Sequence, residues 1–99
     1  MDTLPDYLVT GLDLVFVGIN PSMASVRLGH YYANPRNRFW RVFNACEMTE
    51  TYLSFEMDSQ ILAHNMGFTD LVKRPTVGIS TLTSYDFRRG VHELKSKLE

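Results

Sequence analysis

Val15-Phe16-Val17-Gly18-Ile19-Asn20-Pro21-Ser22 is the stretch on which the reading of this chain turns. It is the end of an apolar segment, Leu12 to Val17, that stops at a glycine and hands over to an asparagine fixed in front of a proline. The segment is short and rich in Leu, Val and Phe, which predicts a strand buried on both faces rather than a helix. Asn20 then falls just beyond the strand's carboxyl end, where open α/β sheets bind ligands in the crevice between connecting loops. Gly18 permits an unusual backbone angle or a ligand's close approach, and Pro21 biases Asn20 away from the helical region. Taken alone, a Gly-x-Asn-Pro tetrapeptide is more often an ordinary strand-to-loop turn.

Working outward, 99 residues with 44% apolar and 12% aromatic side chains fit one small domain, 1–99, with a real core. The net charge of −1 and pI near 6.3 carry no global signature of a nucleic-acid or membrane-surface protein, so any polyanion site must be local. Cys46 is the only cysteine, which rules out an intrachain disulfide and a cysteine zinc site and fits a reducing, intracellular compartment. The N-terminus is acidic where a signal peptide would be basic, and no apolar run reaches membrane-spanning length. The expectation is a soluble, untargeted chain without repeats.

Residues 1–11 read as a lead-in, with a short turn over Asp6 to Val9 and no chemistry of its own. Ser22 to Asn34 shows neither a period of 2 nor of 3.6 and reads as a loop of about a dozen residues, a length more often functional than decorative. A helix follows, capped by Asn34 or Asn37, with Phe39, Val42, Phe43 and Cys46 as its apolar stripe and an end near Glu47. Glu47 to Ser59 stays unassigned, with Tyr52, Leu53 and Phe55 tucked against the core, and Ile61 to Asn65 reads as a short helix. Gly67 to Val72 predicts a second strand and Arg74 to Gly78 a turn-rich connection. After Thr83 or Ser84 as cap, Phe87, Val91, Leu94 and Leu98 form the inward stripe of a final helix. Alternating strands and helices imply a parallel sheet with helices on its faces. Two strands do not complete such a sheet, so the segment reads as the front part of a larger or reduced domain.

All eleven acids lie outside residues 14–46, whereas Arg27, Arg36, Arg38 and Arg41 lie inside, with His30 and the aromatics Tyr31, Tyr32, Phe39 and Trp40. Arginines beside rings suit a site that holds phosphates and stacks a base, and equally describe a solvated helix face over core aromatics. Asn20 has a neutral amide, which cannot act as a general base but can orient a water. That suits cleavage of an N-glycosidic bond through an oxocarbenium-like transition state. His30 and Tyr32 are candidate ligand contacts. His64 and His92 lack metal-site spacing, Ser22 and Ser25 lack a nucleophile-elbow pattern, and Gly18 alone is no dinucleotide fingerprint.

The Val15-to-Pro21 run, Gly29-His30-Tyr31-Tyr32, Asn37-Arg38-Phe39-Trp40 and Gly67-Phe68-Thr69-Asp70-Leu71-Val72-Lys73-Arg74-Pro75-Thr76 together resemble the mismatch-specific uracil/thymine-DNA glycosylases of the uracil-DNA glycosylase superfamily. The resemblance implies a three-layer α/β/α fold around a central parallel sheet, incomplete here. It also implies a monomeric base-excision repair enzyme, without metal or cofactor, acting on double-stranded DNA with G·U or G·T mispairs. Such an enzyme is cytoplasmic in a prokaryote and nuclear in a eukaryote. The family motif Gly-Ile-Asn-Pro-Gly places Asn20 as the residue positioning the attacking water and Tyr32 as the ring stacking on the flipped base. Gly18, Ile19, Ser25 and Asn37 fall beside the pyrimidine, and Arg36, Arg38 and Arg41 are candidate phosphate contacts. Ser22 replaces the motif's second glycine, which narrows the pocket and removes freedom at positive φ. The family's second motif, an Asn-Pro-Ser segment that helps hold the duplex open, has no counterpart after Leu98. Two rival readings stand beside this one: a truncated remnant without turnover, and a nucleotide- or nucleic-acid-binding module without glycosylase chemistry.

Overall fold

The computed structural model describes residues 2–99. Strands β1 (Leu14–Gly18) and β2 (Met66–Asp70) pair in parallel, Leu14 opposite Met66 and Gly18 opposite Asp70. Between them run α1 (Met23–Leu28), α2 (Phe39–Ala45) and a 3-10 helix at Phe55–His64, and after them a 3-10 turn at Ile79–Thr81 and α3 (Ser84–Leu98). Parallel strands require such a crossover, since the chain must return to the end from which it started. The result is a mixed α/β fold of the expected class, holding part of a central parallel sheet.

Phe68 is the centre of the core. Its ring is fully buried at the middle of β2 and lies within 5.1–5.7 Å of the rings of Phe16, Tyr31, Tyr32, Phe39 and Trp40. Edge-on and offset contacts of this kind add about 0.5–1.5 kcal/mol per pair beyond simple burial. Leu4, Val26, Phe43, Leu53, Ile61 and Met66 close the cluster.

Several expectations change here. The lead-in is structural: Leu4 is in the core, and Tyr7 forms an antiparallel bridge to Phe68, donating to its carbonyl at 2.9 Å and accepting from its N–H at 3.1 Å. β1 is not buried on both faces, since Leu14 and Val17 keep 40% and 44% of their surface exposed, and β2 pairs with only one of its edges. The expected loop over Ser22 to Asn34 contains α1, too short to show a period but bounded by two caps. Ser22 Oγ accepts from Ser25 N–H at its start, and Gly29, at φ 77°, closes it by donating to Ser25 and Val26 carbonyls. In α2 the buried side is Trp40 and Phe43, while Val42 and Cys46 face an open apolar groove with Phe16 and Met48. Leu53 is buried as expected and Phe55 partly so, but Tyr52 projects into solvent.

The stripe of α3 points inward only in part. Leu94 is half-buried, but Phe87, Val91 and Leu98 are exposed, and the buried residue of the helix is Gly90. A Cβ at Gly90 would sit 2.3 Å from the Leu71 carbonyl oxygen, so the helix docks through its bare backbone. Its ends are held ionically, Asp86 by Arg74 at 2.8 Å and Lys97 by Asp6 at 2.8 Å. Thr83 and Asp86 form a reciprocal capping box at its N-terminus. No helix among the described residues is long and apolar enough to cross a membrane.

Candidate active site

A cavity of about 230 Å³ opens where β1 and β2 end together, lined by Gly18, Ile19, Asn20, Ser22, Ser25, Tyr32, Asn37 and Asp70 among others. Six of the residues singled out from sequence for substrate contact, and Asn20 with them, therefore share one space. The chain reaches it because β1 stops at Gly18 and the loop after β2 runs alongside: Leu71 N–H donates to the Gly18 carbonyl at 2.7 Å and Val72 N–H to Ile19 at 2.8 Å.

Asn20 is oriented by the far loop. Its Nδ2 donates to the Arg74 carbonyl at 2.9 Å and to Thr76 Oγ1 at 2.8 Å. The polarity of the amide follows from its partners. A carbonyl only accepts, and the Thr76 hydroxyl proton is committed to the Gly78 carbonyl, so both partners require a donor. Nδ2 is therefore pinned to this loop, and Oδ1 is the amide atom left to accept a hydrogen bond from a water or ligand.

Tyr32 stands at φ 54°, a left-handed conformation that a large side chain adopts only when its surroundings impose it. Three contacts do so. Asp58, fully buried on the 3-10 helix, accepts from Tyr31 N–H at 2.7 Å and pairs with His30 Nδ1 at 2.9 Å. Ser25 Oγ accepts from Ala33 N–H at 3.1 Å, and the Tyr32 ring lies flat on Phe39 with centroids 4.1 Å apart. Burial and the nearby Asp70 carboxylate push the Tyr32 hydroxyl up to about 12, so it stays protonated. His30, a candidate ligand contact, serves instead to hold this loop.

Ser22 sits at φ −74°, so the serine in place of glycine creates no left-handed strain; its side chain caps α1 and donates to Ser25 Oγ at 3.0 Å. Asn37 Oδ1 accepts from Phe39 N–H at 2.8 Å, which leaves its Nδ2 as a free donor at the rim. Arg36, Arg38 and Arg41 are exposed, and none of them pairs with a carboxylate among the described residues. Of the aromatics expected near a stacked base, Tyr31 and Trp40 are core residues. Trp40 donates its indole N–H to the Tyr31 carbonyl at 2.9 Å.

One cavity residue was passed over in the sequence. Asp70 is 4% exposed, and its Oδ1 lies 2.5 Å from where a Cβ on Gly18 would stand. Its Oδ2 is buried without a hydrogen-bond partner, although Lys73 Nζ lies 3.8 Å away. Burial pushes the carboxyl up to about 6, against the pull of Lys73 and with a smaller push from Asp6. The available signal was an acid inside the apolar strand segment Gly67 to Val72, but its meaning depends on the pairing of Gly18 with Asp70, far apart in sequence. No cluster of three or more metal-ligating side chains occurs among the described residues.

The family model for the uracil DNA glycosylase superfamily matches residues 5–99. That span takes in both strands, every cavity residue named above and α3. The chain belongs to the uracil DNA glycosylase superfamily, whose chemistry is that of a DNA glycosylase, a hydrolase acting on DNA.

Proposed function

We propose that this chain excises uracil or mispaired thymine from duplex DNA carrying G·U or G·T mispairs. The observation that carries the reading is the amide of Asn20, a residue lining the cavity, whose nitrogen is held by Arg74 and Thr76 so that Oδ1 is left as its acceptor. A water accepted there would keep a lone pair free for the sugar carbon as the base departs. In this reading Tyr32 stacks on the extruded pyrimidine with the ring face that Phe39 leaves free. The backbone of Gly18 and Ile19 lies along the base, and the hydroxyl of Ser25 and the Nδ2 of Asn37 offer donors to its carbonyl oxygens. Ser22 supports this wall from the helix cap. Arg36, Arg38 and Arg41 meet the phosphates. Extruding a nucleotide costs a few kcal/mol and least for a mispair, which favours G·U and G·T over sound pairs.

Excision measured on G·U, G·T and A·U duplexes tests the reading. Asn20→Ala is expected to lower the rate of uracil release at least 100-fold, about 2.7 kcal/mol of transition-state stabilisation, with duplex binding within a few-fold of the parent. Equal loss of binding and excision would remove the assigned role. Tight binding of free nucleotide with no dependence on a mispair would favour a binding module instead.

A further inference from the structure

The sheet has two outer edges, and the fold covers one of them. Beyond β2 the N-terminal segment pairs with the strand, Tyr7 exchanging both backbone hydrogen bonds with Phe68. Among the described residues nothing pairs with the outer edge of β1. The direction of its backbone groups follows from the register. Phe68 spends its N–H and carbonyl on Tyr7, so its parallel partner Phe16 must turn its own N–H and carbonyl toward β2. Successive residues of a strand face opposite edges, which leaves the N–H and carbonyl of Val15 and Val17 pointing outward. We infer that a second copy of this chain covers that edge, β1 pairing antiparallel with β1 of its partner about a two-fold axis at Phe16. The inference stands apart from the glycosylase reading above and takes the place of the monomer that the family resemblance implies.

Three features make this edge complementary to itself. The first is register. With Val15 opposite the partner's Val17, both valines exchange N–H and carbonyl across the axis, and every outward group of the strand is used. A shift either way calls on Asp13, whose N–H already goes to Asn65, or on Ile19, whose carbonyl already accepts from Val72. The second is polarity. Leu14, Val42 and Met48 are exposed on the α2 side, beside the groove that Phe16 and Cys46 also line, and Val17 is exposed on the other side. Leu14–Gly18 carries none of the charges, prolines or bulges that blunt a solvent-facing edge. The third is charge. α2 runs back along β1, from Asn37 and Arg38 near the Gly18 end, where Asn37 also lines the cavity, to Cys46, Glu47 and Met48 near the Leu14 end. The two-fold axis sets opposite ends side by side, so Arg38 meets the partner's Glu47. Both residues are exposed, and neither has an ion-pair partner among the described residues. The same axis places Leu14 beside the partner's Gly18, so each copy adds an apolar residue next to the other's Asn20 cavity.

Sedimentation velocity of the full chain across a concentration series reads the mass, and backbone amide exchange followed by NMR reads the interface. The parent is expected to sediment at twice the 11.4 kDa chain mass at micromolar concentration and to dissociate on dilution. Val42→Glu puts a charge into the shared groove at an exposed position, and is expected to raise the dissociation constant about 100-fold while thermal unfolding stays cooperative. The amides of Val15 and Val17 are expected to exchange about tenfold more slowly in the parent than in this variant, and that of Phe16, bonded to β2 in both, to change less. Arg38→Glu and Glu47→Arg are each expected to weaken the dimer about tenfold, and the two together to restore it. A chain that stays monomeric up to its solubility limit overturns the inference. So does a dimer whose Val15 and Val17 amides are no better protected than in the monomer, or one indifferent to Val42→Glu and to the charge exchange, since the copies would then meet through another face.

Discussion

At the scale of single residues, the site depends on Thr76, whose hydroxyl links a carbonyl acceptor to an amide donor. It gives its proton to Gly78 and so has only lone pairs to offer Asn20. Thr76→Val keeps the volume and removes that acceptor, leaving the Asn20 amide held by the Arg74 carbonyl alone. A lost hydrogen bond of about 1.4 kcal/mol corresponds to a tenfold fall in excision, with duplex binding unchanged, and Thr76→Ser is expected to restore the parental rate. A Thr76→Val chain as fast as the parent would show that Arg74 is sufficient. Asn20 itself was legible in the sequence because strand, glycine and proline are consecutive signals. Thr76 and Asp70 were not, since each acquires its meaning from a partner more than fifty residues away, reached only through the parallel pairing of β1 with β2.

Elements tell a similar story of local signals read well and non-local ones missed. The second strand, the helix at Phe39 and the cap at Thr83 were visible because propensity and capping chemistry agree there. α1 escaped because a six-residue helix carries less than two turns of pattern, although the Ser22 and Gly29 caps framed it. The stripe of α3 misled for a different reason. Periodicity shows which side chains share a face, but not whether anything covers that face, and the helix instead docks through Gly90. Gly90→Val is therefore expected to destabilise the fold by about 1–3 kcal/mol, because its Cβ must displace the Leu71 carbonyl. Val91→Ala, on the exposed side, should cost no more than about 0.5 kcal/mol. Thermal or urea unfolding of the two variants side by side checks the orientation, and a larger loss for Val91 than for Gly90 would reverse it.

Across the whole molecule, two carboxylates set opposite trends in stability with pH. Asp6 accepts from Thr69 Oγ1 at 2.7 Å and pairs with Lys73 and Lys97, tying the N-terminal segment, the end of β2 and α3 into one knot. Burial pushes its carboxyl up, but these hydrogen bonds more than reverse the push and hold it below its ordinary 3.8. Its contribution is thus present above pH 3.8 and is lost as pH falls through the folded value. Asp70 is raised to about 6, so its contribution is present below pH 3.8 and is lost as pH rises through 6. Melting curves should therefore show Asp70→Asn more stable than the parent at pH 7.5, with the advantage shrinking toward pH 4. Asp6→Asn should be less stable at pH 7.5 by about 1 kcal/mol, a half-exposed network's worth after solvent screening. An Asp70→Asn chain destabilised at neutral pH would mean that the carboxylate is structurally satisfied after all.

Trp40 is the chain's single tryptophan, buried with its N–H on the Tyr31 carbonyl and its ring edge-on to Phe39, which in turn supports Tyr32. The indole is thus one ring removed from the wall that a flipped base would press against. Its fluorescence is a built-in optical gauge of that wall: blue-shifted while the loop is packed, and responsive when a base slides onto Tyr32, so that occupancy of the pocket can be followed in real time without a label on either protein or DNA.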